Sequence, residues 1–282
     1  MTAATRALAS SKVRFRLAGG VQPLILLPVK ANDRGPFEFI LDTGAGTSLL
    51  SIELAKHLEL RVIGSKEGQS AGGKVAVSLA RVDSLVVGET KIDDVDVGIV
   101  DLSHIGRTVG AKIDGDLGYN FLKYFRVTID YRDSELRLDD PKRIESFRRN
   151  VRTEIAIRLA SPAKPLILVN VYANGRGPFQ FAIDTGTSTS AITPELADQL
   201  GVQTSPVGAG TTGGAPIDFQ AGSLQSFQLG GAKIDNMAVV IADFFTMLNA
   251  AIGVKLDGIV GYNFLRNYKV VIDYPGETLT LF

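Results

Sequence analysis

Residues 40–46 read I-L-D-T-G-A-G and residues 182–188 read A-I-D-T-G-T-S, so an Asp-Thr-Gly follows an apolar run twice, 142 positions apart. Either copy alone reads as a turn capped by its aspartate. Two copies raise the question of an internal repeat, and the chain contains one. Residues 24–44, L-I-L-L-P-V-K-A-N-D-R-G-P-F-E-F-I-L-D-T-G, align with 166–186, L-I-L-V-N-V-Y-A-N-G-R-G-P-F-Q-F-A-I-D-T-G, with 14 of 21 positions identical. Residues 114–131, D-G-D-L-G-Y-N-F-L-K-Y-F-R-V-T-I-D-Y, align with 257–274, D-G-I-V-G-Y-N-F-L-R-N-Y-K-V-V-I-D-Y, with 11 of 18 identical. Between these blocks L-V-V-G-E-T-K-I-D-D and F-Q-L-G-G-A-K-I-D-N keep the first offset. Two units of this length are too long for solenoid repeats and read as two similar lobes.

Composition agrees with a folded chain. With 282 residues, 45% hydrophobic and 21% charged, there is material for two domains of ordinary size. Thirty basic and thirty acidic residues cancel, so no overall field points to nucleic acid or an anionic membrane. Cysteine is absent, which removes disulfides, thiol catalysis and cysteine metal sites. No apolar stretch approaches the roughly 18 residues of a membrane-spanning helix. The first ten residues show no long apolar core of a signal peptide.

Each lobe reads as mostly strand. Short apolar and β-branched runs (24–29, 37–41, 82–87, 127–131) are separated by turns rich in Gly, Pro and Asn. A-N-D-R-G-P and A-N-G-R-G-P read as hairpin connections. One helix per lobe is expected after each Asp-Thr-Gly, S-I-E-L-A-K-H-L and T-P-E-L-A-D-Q-L, or at most two short helices per lobe. Ser51 and Thr193 are placed to cap them, Pro194 suits the first helical turn, and Glu53 and Glu195 sit where the helix dipole favours acid. The charged segment 139–152 is the expected linker between an N-terminal lobe, 1–138, and a C-terminal lobe, 153–282.

If the lobes pack about a pseudo-twofold axis, Asp42 and Asp184 meet in one pocket. Two adjacent carboxylates resist ionising together and hold one proton between them. The charged member can then accept a proton from water while the protonated one donates to a carbonyl. No metal or cofactor is needed for that chemistry. A hydroxyl at Thr187, against a methyl at Ala45, is expected to favour the charged form of Asp184 and leave the shared proton on Asp42.

These residues resemble the aspartic protease superfamily. Each lobe adds an apolar-apolar-Gly element, Asp116-Leu117-Gly118 and Ile259-Val260-Gly261, followed by a Tyr-Asn-Phe-Leu similar to the G-R-N-L-L stretch of retroviral proteases. Between the two motifs lies a Gly-rich tip, Q-S-A-G-G-K or G-T-T-G-G-A, which in retroviral-type enzymes is a flap over the substrate. The likeness spans roughly 20–140 and 162–282 and is closest to bacterial aspartyl proteases, with two retroviral-like halves fused in one chain. It implies an all-β, two-lobed fold and an aspartic endopeptidase, with Asp42 and Asp184 as catalytic carboxylates. Thr43 and Thr185 would tie the loops across the lobes. Gly44 and Gly186 would allow close approach to the carboxylates, while Gly72, Gly73, Gly213 and Gly214 would be flap tips. The implied partner is an extended peptide or protein, one monomer suffices, and the bacterial relatives' frequent export implies periplasm or cell envelope.

The match has departures. No tyrosine lies between Ser65 and Leu79, so the first flap is retroviral rather than pepsin-like. Asp116 stands where its element should be apolar; it is expected to face solvent, with tuning or disturbing the site as the alternatives. It keeps open a second reading, a catalytically silent relative that binds peptides in the same cleft. His57, in a predicted helix, and His104, in a loop, are expected at the surface. They support neither a zinc site nor a serine triad.

Overall fold

The computed structural model describes residues 6–7, 10–70, 73–142, 151–162, 164–211 and 216–282. Each half contains a long hairpin before its Asp-Thr-Gly, Leu24–Ala31 with Arg34–Leu41 and Ile167–Ala173 with Arg176–Ile183. Asn32 and Asp33 have φ of 51° and 58°, and Asn174 and Gly175 have 51° and 70°. Both central residues of each turn are therefore left-handed, the geometry whose twist matches that of the paired strands. Arg34 donates to the His57 carbonyl at 2.7 Å, and Arg176 likewise donates to the Gln199 carbonyl. Each turn is thereby tied to the end of the helix that follows the Asp-Thr-Gly. Those helices, Ile52–His57 and Pro194–Leu200, start as expected: Ser51 accepts from the Leu54 amide and Thr193 from the Leu196 amide.

Among the described residues three short helices occur in each half, more than the one or two anticipated. The additional ones are Ser103–Val109 and Tyr119–Leu122, matched by Phe245–Ile252 and Tyr262–Leu265. At four to eight residues they are too short to display a helical apolar period. His104 consequently sits on a helix and is half-buried rather than on a surface loop, whereas His57 is exposed as expected.

The two halves build matching sheets of nine and eight strands. In the first, the strand that leads into Asp42 runs parallel to Gly115–Leu117, which pairs antiparallel with Leu49–Ser51. The second half repeats this with Arg176–Ile183, Gly258–Val260 and Ala191–Ile192. A third, six-stranded sheet takes strands from both halves, with Arg126–Asp130 against Lys269–Asp273 at its centre. Val127, Ile129, Val270 and Ile272 are fully buried there and join one apolar core that runs through both halves. Asp139 ends the strand Glu135–Asp139 and is buried, and residues 143–150 of the expected linker lie outside the described residues. This is the two-lobed all-β architecture that the resemblance implied.

Candidate active site

Asp42 and Asp184 each follow the last residue of a buried strand, and each backbone amide bonds the parallel strand beside it. Asp42 donates to the Leu117 carbonyl at 3.2 Å and Asp184 to the Val260 carbonyl at 3.0 Å. Gly118 and Gly261 lie where the chain must pass beneath these loops. A Cβ there would stand 2.7 Å from the Ala45 carbonyl oxygen, or 2.6 Å from that of Thr187, closer than real side chains come. The next amides, of Tyr119 and Tyr262, donate to those same two carbonyls at 2.7 and 2.8 Å. The glycine of the apolar-apolar-Gly element therefore permits backbone contact with the aspartate loop.

A second support repeats in both halves. The Asn120 side-chain oxygen accepts from the amide and hydroxyl of Ser48, and its nitrogen donates to the Asp96 carbonyl. The Ser48 hydroxyl in turn accepts from the Gly118 amide. Ser190, Asn263, Ala238 and Gly261 make the same set. Both serines are fully buried. Sequence reasoning did not single out Ser48 or Ser190. Their recurrence at the repeat offset, together with Asn120 and Asn263, was the signal that could have found them.

The loops meet across the halves. The Thr43 hydroxyl donates to the Ile183 carbonyl and accepts from the Thr185 amide, both at 3.1 Å. The Thr185 hydroxyl donates to the Leu41 carbonyl at 2.7 Å and accepts from the Thr43 amide at 3.1 Å. Both threonines are buried. A Cβ on Gly44 would lie 2.8 Å from Asp184 Cγ, and one on Gly186 2.7 Å from Asp42 Cγ. Each glycine thus packs on the carboxylate of the other half, which brings Asp42 and Asp184 together.

Each carboxylate is also held by its own loop. Asp42 Oδ1 accepts from the amides of Gly44 at 2.6 Å and Ala45 at 3.0 Å. Asp184 Oδ1 accepts from the Gly186 amide, and its Oδ2 from the Thr187 hydroxyl, both at 2.8 Å. The Thr187 bond is the expected one, but its effect is outweighed. Burial, and then the charge of Asp42, raise the Asp184 carboxyl to about 8; Thr187 and the Gly186 amide pull the other way. Burial and the Asp42 charge thus work against the pull of the Thr187 hydroxyl toward a charged Asp184.

Asp116 corrects a second expectation. It does not face solvent; it is 7% exposed, like Ile259 at the matching position. It pairs with Ile40 on the strand that leads into Asp42, and its carboxyl lies close to that of Asp42. Burial pushes it far above the usual carboxylate range, and the charges of Asp42 and Asp184 add to the effect. Its surroundings follow from the parallel strand, which points residue 116 toward the dyad whatever its polarity.

The expected flaps lie only partly within the described residues. Strands Gly64–Ser70 and Gly73–Val87 pair as a hairpin, with Gly73 opening the second strand opposite Ser70. Ser205–Thr211 and Pro216–Leu229 pair in the same way. Gly72, Gly213 and Gly214 lie outside the described residues. A cavity of about 720 Å³ sits on the first half beside Ile52, Leu60, Val75 and Val100, and none of the Asp-Thr-Gly residues lines it. The carboxylate pair is the candidate site on its chemistry, not on cavity size. Among the described residues no group of acidic or histidine side chains is arranged to hold a metal ion, and no helix is long and apolar enough to cross a membrane.

A search of curated proteins returns no match. The family model described as aspartyl protease matches the chain twice, over residues 27–121 and 169–264. Each match contains one Asp-Thr-Gly and one apolar-apolar-Gly element, and together they cover more than half of the sequence. The chain belongs to the aspartyl protease family.

Proposed function

We propose that the protein is an aspartic endopeptidase that hydrolyses peptide bonds with a water held between Asp42 and Asp184. The observation that carries this reading is the reciprocal packing of Gly44 on Asp184 and Gly186 on Asp42, which joins the two carboxyls at one point. Asp42 accepts a proton from the water as its oxygen attacks the scissile carbonyl carbon, and Asp184 donates its proton to the carbonyl oxygen. Collapse of the resulting diol breaks the C–N bond, with a proton delivered to the leaving nitrogen. Thr43 and Thr185 hold the loops in register, and Thr187 and the glycine amides orient the carboxylates. The substrate lies extended across the cleft, pairing with strand edges, beneath the hairpins Gly64–Ser70 with Gly73–Val87 and Ser205–Thr211 with Pro216–Leu229 as flaps. The lobes are 1–138 and 153–282, and a monomer is active because both halves of the site lie on one chain.

Digestion of a peptide library by the parent protein, beside Asp42→Asn and Asp184→Asn, tests the reading. The parent is expected to cleave. Either variant should lose about 10³-fold or more, since one proton-transfer group contributes roughly 10²–10⁴ and the pair also positions the water. A parent that binds peptides without cleaving them would make the chain a silent peptide-binding relative instead. An Asp42→Asn variant with more than a few per cent of parental activity would sink the dyad mechanism.

A further inference from the structure

Asp116 is more than nine-tenths buried, and its Oδ1 has no hydrogen-bond partner among the described residues. Its cross-strand neighbours, Ile40 on one side and Leu49 on the other, are apolar. The titratable groups that face it are Asp42 and Asp184, from the loops after the two hairpins, and both are acidic. An ionised Asp116 would therefore be a buried anion beside another carboxylate, without a compensating cation. A neutral carboxylic acid has the one donor that Asp42 can accept. Asp42 Oδ1 already accepts from the Gly44 and Ala45 amides, whereas Asp116 Oδ1 accepts from none among the described residues, so a proton between the two carboxyls belongs on Asp116.

Resting on the peptidase reading, we propose that Asp116 is a third carboxyl of the site: kept protonated, it donates to Asp42 and fixes Asp42 as the charged, proton-accepting member of the pair. It acts through Asp42 and is a positioning residue. The second half has Ile259 in this place, so only Asp42 receives such a donor. The asymmetry of the dyad follows, with charge on Asp42 and the proton on Asp184. The raised carboxyls of Asp116 and Asp184 agree with that distribution.

Two variants and one direct titration test this. Asp116→Ile copies the second half and removes the donor. Protonating Asp42 then becomes easier, so the acidic limb of the pH–rate profile should move up by about one pH unit, the loss expected for one hydrogen bond to a charged group. Asp116→Asn keeps a donor and should return that limb to within a few tenths of a unit of the parent. An unmoved limb in Asp116→Ile, or an equal shift in both variants, overturns the proposal. Carboxyl carbon NMR of aspartate-labelled parent protein reads the same state without turnover. At pH 6 the Asp116 resonance, assigned by its loss in Asp116→Asn, should be that of a neutral acid. An ionised Asp116 at pH 6 refutes the proposal even in an active enzyme. A neutral Asp116 in a protein that cleaves no peptide supports it and counts against the peptidase reading alone.

Discussion

Thr187 and Ala45 follow otherwise equal Asp-Thr-Gly triplets, and the difference acts at a single oxygen. The Thr187 hydroxyl donates to Asp184 Oδ2 and favours its ionised form, while Asp42 receives the Ala45 amide instead. Burial and the Asp42 charge raise the Asp184 carboxyl to about 8, and the hydroxyl works against them. It sets how soon Asp184 loses its proton as the pH rises. Thr187→Ala removes a contribution that lowers the Asp184 value, so that value rises further. The alkaline limb of the pH–rate profile, where the acid is lost, should move to higher pH by about one unit. A movement of the acidic limb alone would place the shared proton on Asp42 and overturn this assignment.

At the scale of an element, the parallel strand and the short helix behind each loop act as one support. Asn263 accepts twice from Ser190 and donates to the Ala238 carbonyl, so it joins three segments that are distant in sequence. Asn263→Ala leaves the buried amide and hydroxyl of Ser190 without their acceptor, at a cost of about 2–3 kcal/mol. Urea denaturation should show that loss, and Asn120→Ala should show a similar one in the first half. Midpoints equal to the parent's in both variants would mean that the backbone pairing alone holds the loops.

In the whole molecule, the six-stranded sheet makes the halves one unit. Arg126 and Asp273 face each other across its central pair, with both Nε and Nη2 on Asp273 Oδ2 at 2.9 and 2.7 Å. The symmetric pair, Lys269 Nζ with Asp130 Oδ2, closes the other end at 2.6 Å. Between them the fully buried Val127, Ile129, Val270 and Ile272 continue the core from one half into the other. Calorimetry should therefore record a single unfolding transition. Arg126→Ala, which leaves Asp273 largely buried without its partner, should lower stability by about 2–3 kcal/mol without splitting that transition. Two separable transitions in the parent would show the halves folding independently.

The repeat, the all-β class, the hairpin turns, both helix caps and the paired aspartates were legible in the sequence because each is a local pattern. Asn-Asp and Asn-Gly accept left-handed backbone, Ser51 and Thr193 cap the helix beside them, and the two triplets recur at one offset. The Thr43–Thr185 exchange could be anticipated only through the family resemblance. Three features depended on tertiary packing: the extra short helices, the serine–asparagine supports and the place of Asp116. Helices of four residues carry no period, and Ser48 and Asn120 are 72 positions apart. Sequence alone makes Asp116 a polar residue best left in water. The parallel strand turns it inward instead, against Asp42, where burial and like charge set its protonation. The repeat alone requires two carboxylates on two equivalent loops. Tertiary packing is what buries the two loops against each other and sets Asp116 beside them, and the dielectric surroundings and neighbouring charges that act on their protons are encoded in no local pattern.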